Sequence, residues 1–157
     1  MKYDGHARIV GRNEEEDVMR LCRQLHQENG MFSMDDTKVR EMLARAFDRK
    51  GGILAGVGAP GKLEGLLYIF LTSFWYSEEP YWEELFLYVS PEHRKSKNAV
   101  DLINFGKWCV EETGFPLFIG ILSNHSTERK EVFYKRQLHT EGAGHFFVYQ
   151  KKKDEAA

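Results

Sequence analysis

Between Ile53 and Val89 three β-rich apolar runs follow one another with only short turns between them. That succession limits the fold more than any other feature of the chain. Residues 53–57 and 63–74 flank a turn containing Gly58, Pro60 and Gly61, and residues 82–89 follow a turn at 78–80. Neighbours joined this tightly are expected to be antiparallel, because a parallel pair needs a crossover of about a dozen residues or more. Such a crossover comes next. Pro91 ends the third run, and Ala99, Leu102, Ile103, Gly106, Cys109 and Val110 recur at helical spacing from about Asn98. Gly114 and Pro116 then lead into a strand at 117–122, which should run parallel to strand 82–89 through a right-handed connection.

The flanking segments complete the order. Residues 7–11 read as a short first strand, and Asn13 with Glu16 resembles a capping box opening a helix that carries Val18, Leu21, Cys22 and Leu25. Asn29-Gly30 stops it. A second helix should start near Asp35 or Asp36, bury Val39, Met42, Leu43, Ala46 and Phe47, and end at Gly51-Gly52. Ser126 or Thr127 can cap a fourth helix reaching about Gln137, and residues 138–149 read as a last strand interrupted by Gly142 and Gly144. The order β, α, α, β, β, β, α, β, α, β predicts a mixed α/β fold with helices on the faces of a mixed sheet. No repeat or linker divides the 157 residues, so one domain is expected over 1–150, followed by a charged tail at 151–157.

Several classes of partner are excluded at this level. The 22 basic and 24 acidic residues nearly cancel, to a net charge of −2, where a chain living on nucleic acid would carry a basic excess. No apolar stretch is long enough to span a bilayer, so no membrane partner and a cytoplasmic location are expected. Cys22 and Cys109 sit in helical patterns and read as small buried hydrophobes. No pair of histidines has helical ligand spacing, so no metal site is expected.

Two stretches suggest phosphate. Residues 56–62 match the glycine and lysine spacing of a phosphate loop, but position 63 is Leu and a strand follows where a helix should. A hairpin turn explains these glycines. The second stretch, Val89-Ser90-Pro91-Glu92-His93-Arg94-Lys95-Ser96-Lys97-Asn98-Ala99, joins a strand to a helix and brings Arg94, Lys95 and Lys97 to the helix start. Free amides there attract anions. A solvated basic loop is the plain alternative.

This junction resembles that of the GCN5-related N-acetyltransferase (GNAT) superfamily, in which a strand ending Val-x-Pro-Glu-x-Arg leads into a pyrophosphate loop of form Q/R-x-x-G-x-G/A. Val89, Pro91, Glu92, Arg94 and Ala99 match, and Lys97 stands where the middle glycine is expected. Downstream, Asn124 and Tyr134 look like the family's strand-end Asn and helix Tyr, separated by a slightly longer interval. The resemblance implies a mostly antiparallel sheet of six to seven strands with about four helices, its fourth and fifth strands parallel and splayed around a pantetheine arm. It implies acetyl-CoA as donor and CoA as product. Tyr88, Val89, Arg94, Lys95, Ser96, Lys97, Asn98, Ala99 and Asn124 would contact the cofactor, with a local bulge near Tyr88 and Val89.

The same resemblance makes Tyr134 the proton donor to the leaving sulfur. Glu83 stands at the register of a general base, although many relatives use ordered water instead. Phe32, in the stretch between the first two helices, belongs to the region that shapes the acceptor pocket. Tyr81 and Glu84 join a group of aromatics and acids around residues 74–84 whose chemistry suits a cationic amine, either a small molecule or a protein. The same aromatics could equally pack in the core or form a homodimer interface. The implied activity is N-acetyl transfer to a primary amine in a ternary complex. A non-catalytic binding or regulatory module on the same fold is the alternative that Lys97 favours.

Overall fold

The computed structural model describes residues 3–123 and 126–151, in two compact units, Met1–Gly120 and Ile121–Ala157. The first unit holds a five-stranded sheet in the order β1 (Arg8–Ile9), β2 (Gly52–Ala59), β3 (Lys62–Ser73), β4 (Pro80–Val89) and β5 (Leu117–Phe118). Neighbours are antiparallel except β4 and β5, which are parallel, as the helical crossover requires. Helices α1 (Glu15–Asn29) and α2 (Asp36–Phe47) lie between β1 and β2 in sequence, and α3 (Asn98–Thr113) between β4 and β5.

Both faces of the sheet are buried, which is why β3 reads as a continuous apolar run. Leu66 and Tyr68 point into a core with Val18, Met19 and Leu21 of α1 and Leu43 of α2. Their neighbours Leu67 and Ile69 point the other way, against Leu102, Phe105 and Cys109 of α3. The β2–β3 connection is a Pro60-Gly61 turn with Gly61 at φ 76°, confirming a hairpin in place of the phosphate loop. Asp35 caps α2 by accepting the Lys38 N–H at 3.1 Å, and Gly114 ends α3 at φ 73°. Cys22 and Cys109 are free and buried, and burial pushes both thiols up to about 11.

Three expectations need correction. Asn13 makes no capping box: Arg12–Glu14 form a 3-10 turn, because Glu14 accepts both Arg8 guanidinium nitrogens at 2.7 and 2.8 Å and α1 starts only at Glu15. The fifth strand stops at Phe118 rather than Leu122. Residues 139–151 form no strand, so the sheet has five strands among the described residues instead of six to seven. The exposed run Phe146 to Tyr149 is apolar on consecutive positions, and Gly142 and Gly144 precede it. A ladder favours alternation and few glycines.

The second unit carries α4 (Thr127–Leu138). Within it Lys135 bridges Glu131 at 3.0 Å and Glu141 at 2.9 Å, and Lys130 Nζ donates to Ser123 Oγ at 2.6 Å. Among the described residues no helix is long and apolar enough to cross a membrane.

Candidate functional site

β4 changes character along its length. It meets β5 only at Trp82↔Leu117 and Glu83↔Phe118, so over residues 84–89 its edge away from β3 has no strand partner among the described residues. The ladder to β3 also shifts there: Ile69 faces Glu84, Tyr68 faces Phe86, and Leu85 is left over. This bulge lies at Leu85, upstream of the position near Tyr88 and Val89 that the resemblance implies. An extra residue inverts the alternation of a strand. Trp82 therefore joins the α3-side core before the bulge, while Leu87 and Val89 join it afterwards.

Glu84 sits where this edge opens. Its carboxylate accepts the N–H of Gly120, just past β5, at 3.3 Å, and also the N–H of Leu87. Burial lifts its pKa to about 7. The two amides oppose that rise and the charge of Glu83 adds to it. Glu83 points to the other face and accepts the Tyr81 hydroxyl at 3.5 Å. Tyr81 stacks on Phe74 with ring centroids 4.6 Å apart and lies 4.8 Å from Phe118, while Phe74 also stacks on Tyr76. Phe74, Tyr81 and Phe118 thus pack on one another, while Trp75 and Tyr76 remain exposed. Phe32, between α1 and α2, is 81% exposed, with its carbonyl 2.6 Å from His26 Nε2.

At the far end of β4 the chain turns through Pro91–His93 into the basic loop. Arg94 does not reach outward. Its Nε donates to the Val89 carbonyl at 3.0 Å, and its terminal nitrogen lies 2.6 Å from both carboxylate oxygens of Glu28 on α1. Tyr88 completes the cluster, donating to Glu28 at 3.0 Å beneath the guanidinium; burial, then Glu28, pushes its phenol up to about 12. Arg94 thus ties the end of β4 to α1 through its ion pair with Glu28. Lys95 and Lys97 are exposed and make no ion pair among the described residues. Lys97 has φ −85° and ψ 4°, so the backbone here does not require the family's glycine. The first-turn amides of a helix have no intrahelical partner. In α3 a side chain takes that of Asn98, through Ser96 Oγ at 3.1 Å. Ala99 packs at the margin of the α3-side core.

The two remaining predicted residues are Tyr134 and Asn124. Tyr134 lies on α4 in the second unit, half-buried, with its ring centroid 5.5 Å from that of Phe133. Asn124 lies outside the described residues. Two carboxylates with a part in the junction were missed. Glu28 reads as one more polar residue of α1, and Glu64 as one more in β3; only the folded chain brings them to the loop. Among the described residues no group of three or more His, Cys, Asp or Glu could hold a metal ion.

No protein-family model matches the sequence, nor does any curated protein. Solved structures do match. An aminoglycoside acetyltransferase from an uncultured soil metagenomic sample, in complex with trehalose, superimposes with TM-score 0.70 at 20% identity, covering 96% of this chain and 100% of its own. AAC(6')-Iy, in complex with the bisubstrate analog CoA-S-monomethyl-acetylneamine, matches with TM-score 0.71 at 16% identity over 94% of this chain and 97% of its own. The fold is that of the GNAT acetyltransferases. The ribosomal-protein-alanine N-acetyltransferase of Brucella melitensis biovar Abortus 2308 shares it too, with TM-score 0.67 at 15% identity over 94% of this chain and 97% of its own.

Proposed function

We propose that the chain is an acetyl-CoA-dependent N-acetyltransferase that moves an acetyl group to a primary amine by direct transfer within a ternary complex. The observation that carries this reading is the open edge of β4, joined through the Pro91–His93 turn and the loop of Lys95 and Lys97, which make no ion pair among the described residues, to the first turn of α3. The residues present fit such a cofactor. An unpaired strand edge offers main-chain donors and acceptors to an amide-bearing arm. Helix-start amides with two cations suit a diphosphate. When bound, acetyl-CoA would supply the acetyl group as a thioester. Tyr88 and Val89 would hold it through their main chain, and Arg94, Lys95, Ser96, Lys97, Asn98 and Ala99 through the loop, together with Asn124. Residues 1–150 would serve as one domain, working in the cytoplasm.

An amine must be neutral to attack, so a proton has to leave it. Of the two neighbouring carboxylates, Glu84 is better matched than Glu83, the candidate read from register. A carboxylate with a pKa near 7 can accept a proton on Oε and release it again near neutrality. Tyr134 Oη would donate the proton that the leaving sulfur needs. Phe32, Tyr81 and Glu83 would shape the acceptor side. The neighbours named for aminoglycosides and for ribosomal-protein alanine support an amine acceptor, whether a small molecule or a protein. A second reading, a binding module without turnover, is favoured by the ion pair of Arg94 with Glu28, which leaves the loop less positive than its sequence.

The deciding assay is release of free CoA thiol from acetyl-CoA with an aminoglycoside, a polyamine and an N-terminal-alanine peptide. Amine-dependent release is expected with at least one. No release from a chain that binds CoA would overturn transfer in favour of the binding module. Tyr134→Phe is expected to lower turnover about 100-fold, the usual scale of a positioned proton donor, with CoA affinity unchanged. Equal turnover would remove Tyr134 from the reaction.

A further inference from the structure

Glu64 occupies an unusual place in the sheet. In the β2–β3 ladder Val57 faces Gly65 and Gly58 faces Leu63, so Glu64 is an extra residue with no partner across the strand. Gly58 makes this bulge feasible. It sits at φ 105°, and a Cβ there would come within 2.6 Å of the Lys62 carbonyl and 2.9 Å of the Glu64 nitrogen. A bulge re-aims the side chain it carries. Here it aims Glu64 at the connection between β4 and α3.

Three contacts converge on this residue. The Glu64 carbonyl accepts the Ser90 N–H at 2.8 Å, where β4 ends. Its Oε2 accepts Asn98 Nδ2 at 2.7 Å, where α3 begins, and its Oε1 lies 3.4 Å from His93 Nε2. The other His93 nitrogen, Nδ1, is 2.7 Å from the hydroxyl of Ser90, itself 1% exposed. One residue therefore grips the first and the last position of the basic loop, and Lys95, Ser96 and Lys97 lie between the grips. Unlike Glu28, it pairs with no arginine of the loop; its contacts there are with His93 and Asn98.

We propose that Glu64 is a positioning residue for the anion-binding loop, holding Ser90, His93 and Asn98 so that a diphosphate-bearing ligand meets a loop already formed. The proposal rests on the reading of this junction as the cofactor site. A loop held in its bound shape loses less freedom on binding, and affinity rises without a new contact. Loss of the carboxylate should therefore act on ligand binding and leave the reacting groups alone.

The test uses the full chain with Glu64→Ala and Glu64→Gln, and CoA as probe. By calorimetry Glu64→Ala is expected to bind CoA about tenfold more weakly, a loss of about 1.4 kcal/mol. The KM for acetyl-CoA should rise in step while kcat stays within about twofold. Without ligand, the amides of residues 96–99 should exchange hydrogen faster. Glu64→Gln, which keeps an acceptor for Asn98, should recover most of the affinity. Should Glu64→Ala fail to fold, Asn98→Ala removes one grip and is expected to weaken CoA about threefold. Wild-type affinity and wild-type exchange in these variants would overturn the proposal, as would a fall in thermal stability with no change in KM. If the wild-type chain gives no heat with CoA, the cofactor reading fails. Exchange at residues 96–99 in the free protein then decides alone: faster exchange upholds the hold of Glu64 on the loop, and unchanged exchange refutes it.

Discussion

The two halves of β4 are built from similar residues and end in opposite situations. Upstream of Leu85 the strand is held on both sides. Trp82 donates its N–H to the Pro116 carbonyl at 2.8 Å and its indole N–H to Thr113 at 3.0 Å, and it pairs with Leu117. Downstream, among the described residues, β3 alone pairs with it and the other edge is left open. Aromatic and aliphatic residues fill both halves, so strand propensity does not make the difference. It comes from a one-residue bulge and a partner strand that ends at Phe118. A cleft in a sheet is thus a matter of register and neighbour length, which local composition does not record.

The largest effect should separate the halves by stability. Trp82→Ala removes a buried indole and should cost roughly 3–5 kcal/mol in urea unfolding. Leu85→Ala, at the half-exposed bulge, should change stability by no more than about 0.5 kcal/mol. Similar losses at the two sites would break the contrast.

Glu84 stands at the boundary and should report on it through pH. Its folded pKa, about 7, lies above the ordinary 4.5, so folding favours the protonated form. Its contribution to stability is then complete below about pH 4.5 and lost as pH rises through about 7. Glu84→Gln stays neutral throughout. Its melting temperature should match wild type at pH 4 and exceed it at pH 8 by roughly 6–12 °C, because a rise from 4.5 to about 7 corresponds to roughly 3 kcal/mol. Turnover by the wild type should rise with pH through about 7, and the variant should lose that inflection. A constant difference in melting temperature from pH 4 to pH 8 would show that the carboxylate is not buried at the edge.

Much of the architecture was legible in the chain. Pro60-Gly61 announced the β2–β3 hairpin, Asp35 the start of α2, Gly114 the end of α3, and the helix after Pro91 the parallel pairing of β4 with β5. These signals are local, or follow from connection length. The junction was legible as a place, because Lys95 and Lys97 are contiguous with a strand end and a helix start. Its internal wiring was not. Glu28 meets Arg94 across 66 positions, and the bulges at Glu64 and Leu85 are one-residue shifts set by packing on both faces of the sheet. The same blindness explains the strand expected at 138–149: an apolar run shows that burial is possible, while a ladder also needs a partner.

The smallest predicted effect concerns Lys97. Because its backbone is in an ordinary conformation, Lys97→Gly relieves nothing, and it removes a cation from the loop. CoA affinity should fall about threefold at low salt, and the difference should shrink as salt screens the exposed charge. Tighter binding by the glycine variant would mean that the lysine obstructs the loop.

The central claim is that the open half of β4 and the start of α3 form a cofactor site. Calorimetric titration of CoA into the full chain tests it most directly. One saturable site is expected, with Kd between about 1 µM and 1 mM, as is usual for enzyme substrates, and with affinity falling as salt rises. Absence of any saturable heat at millimolar CoA would contradict it.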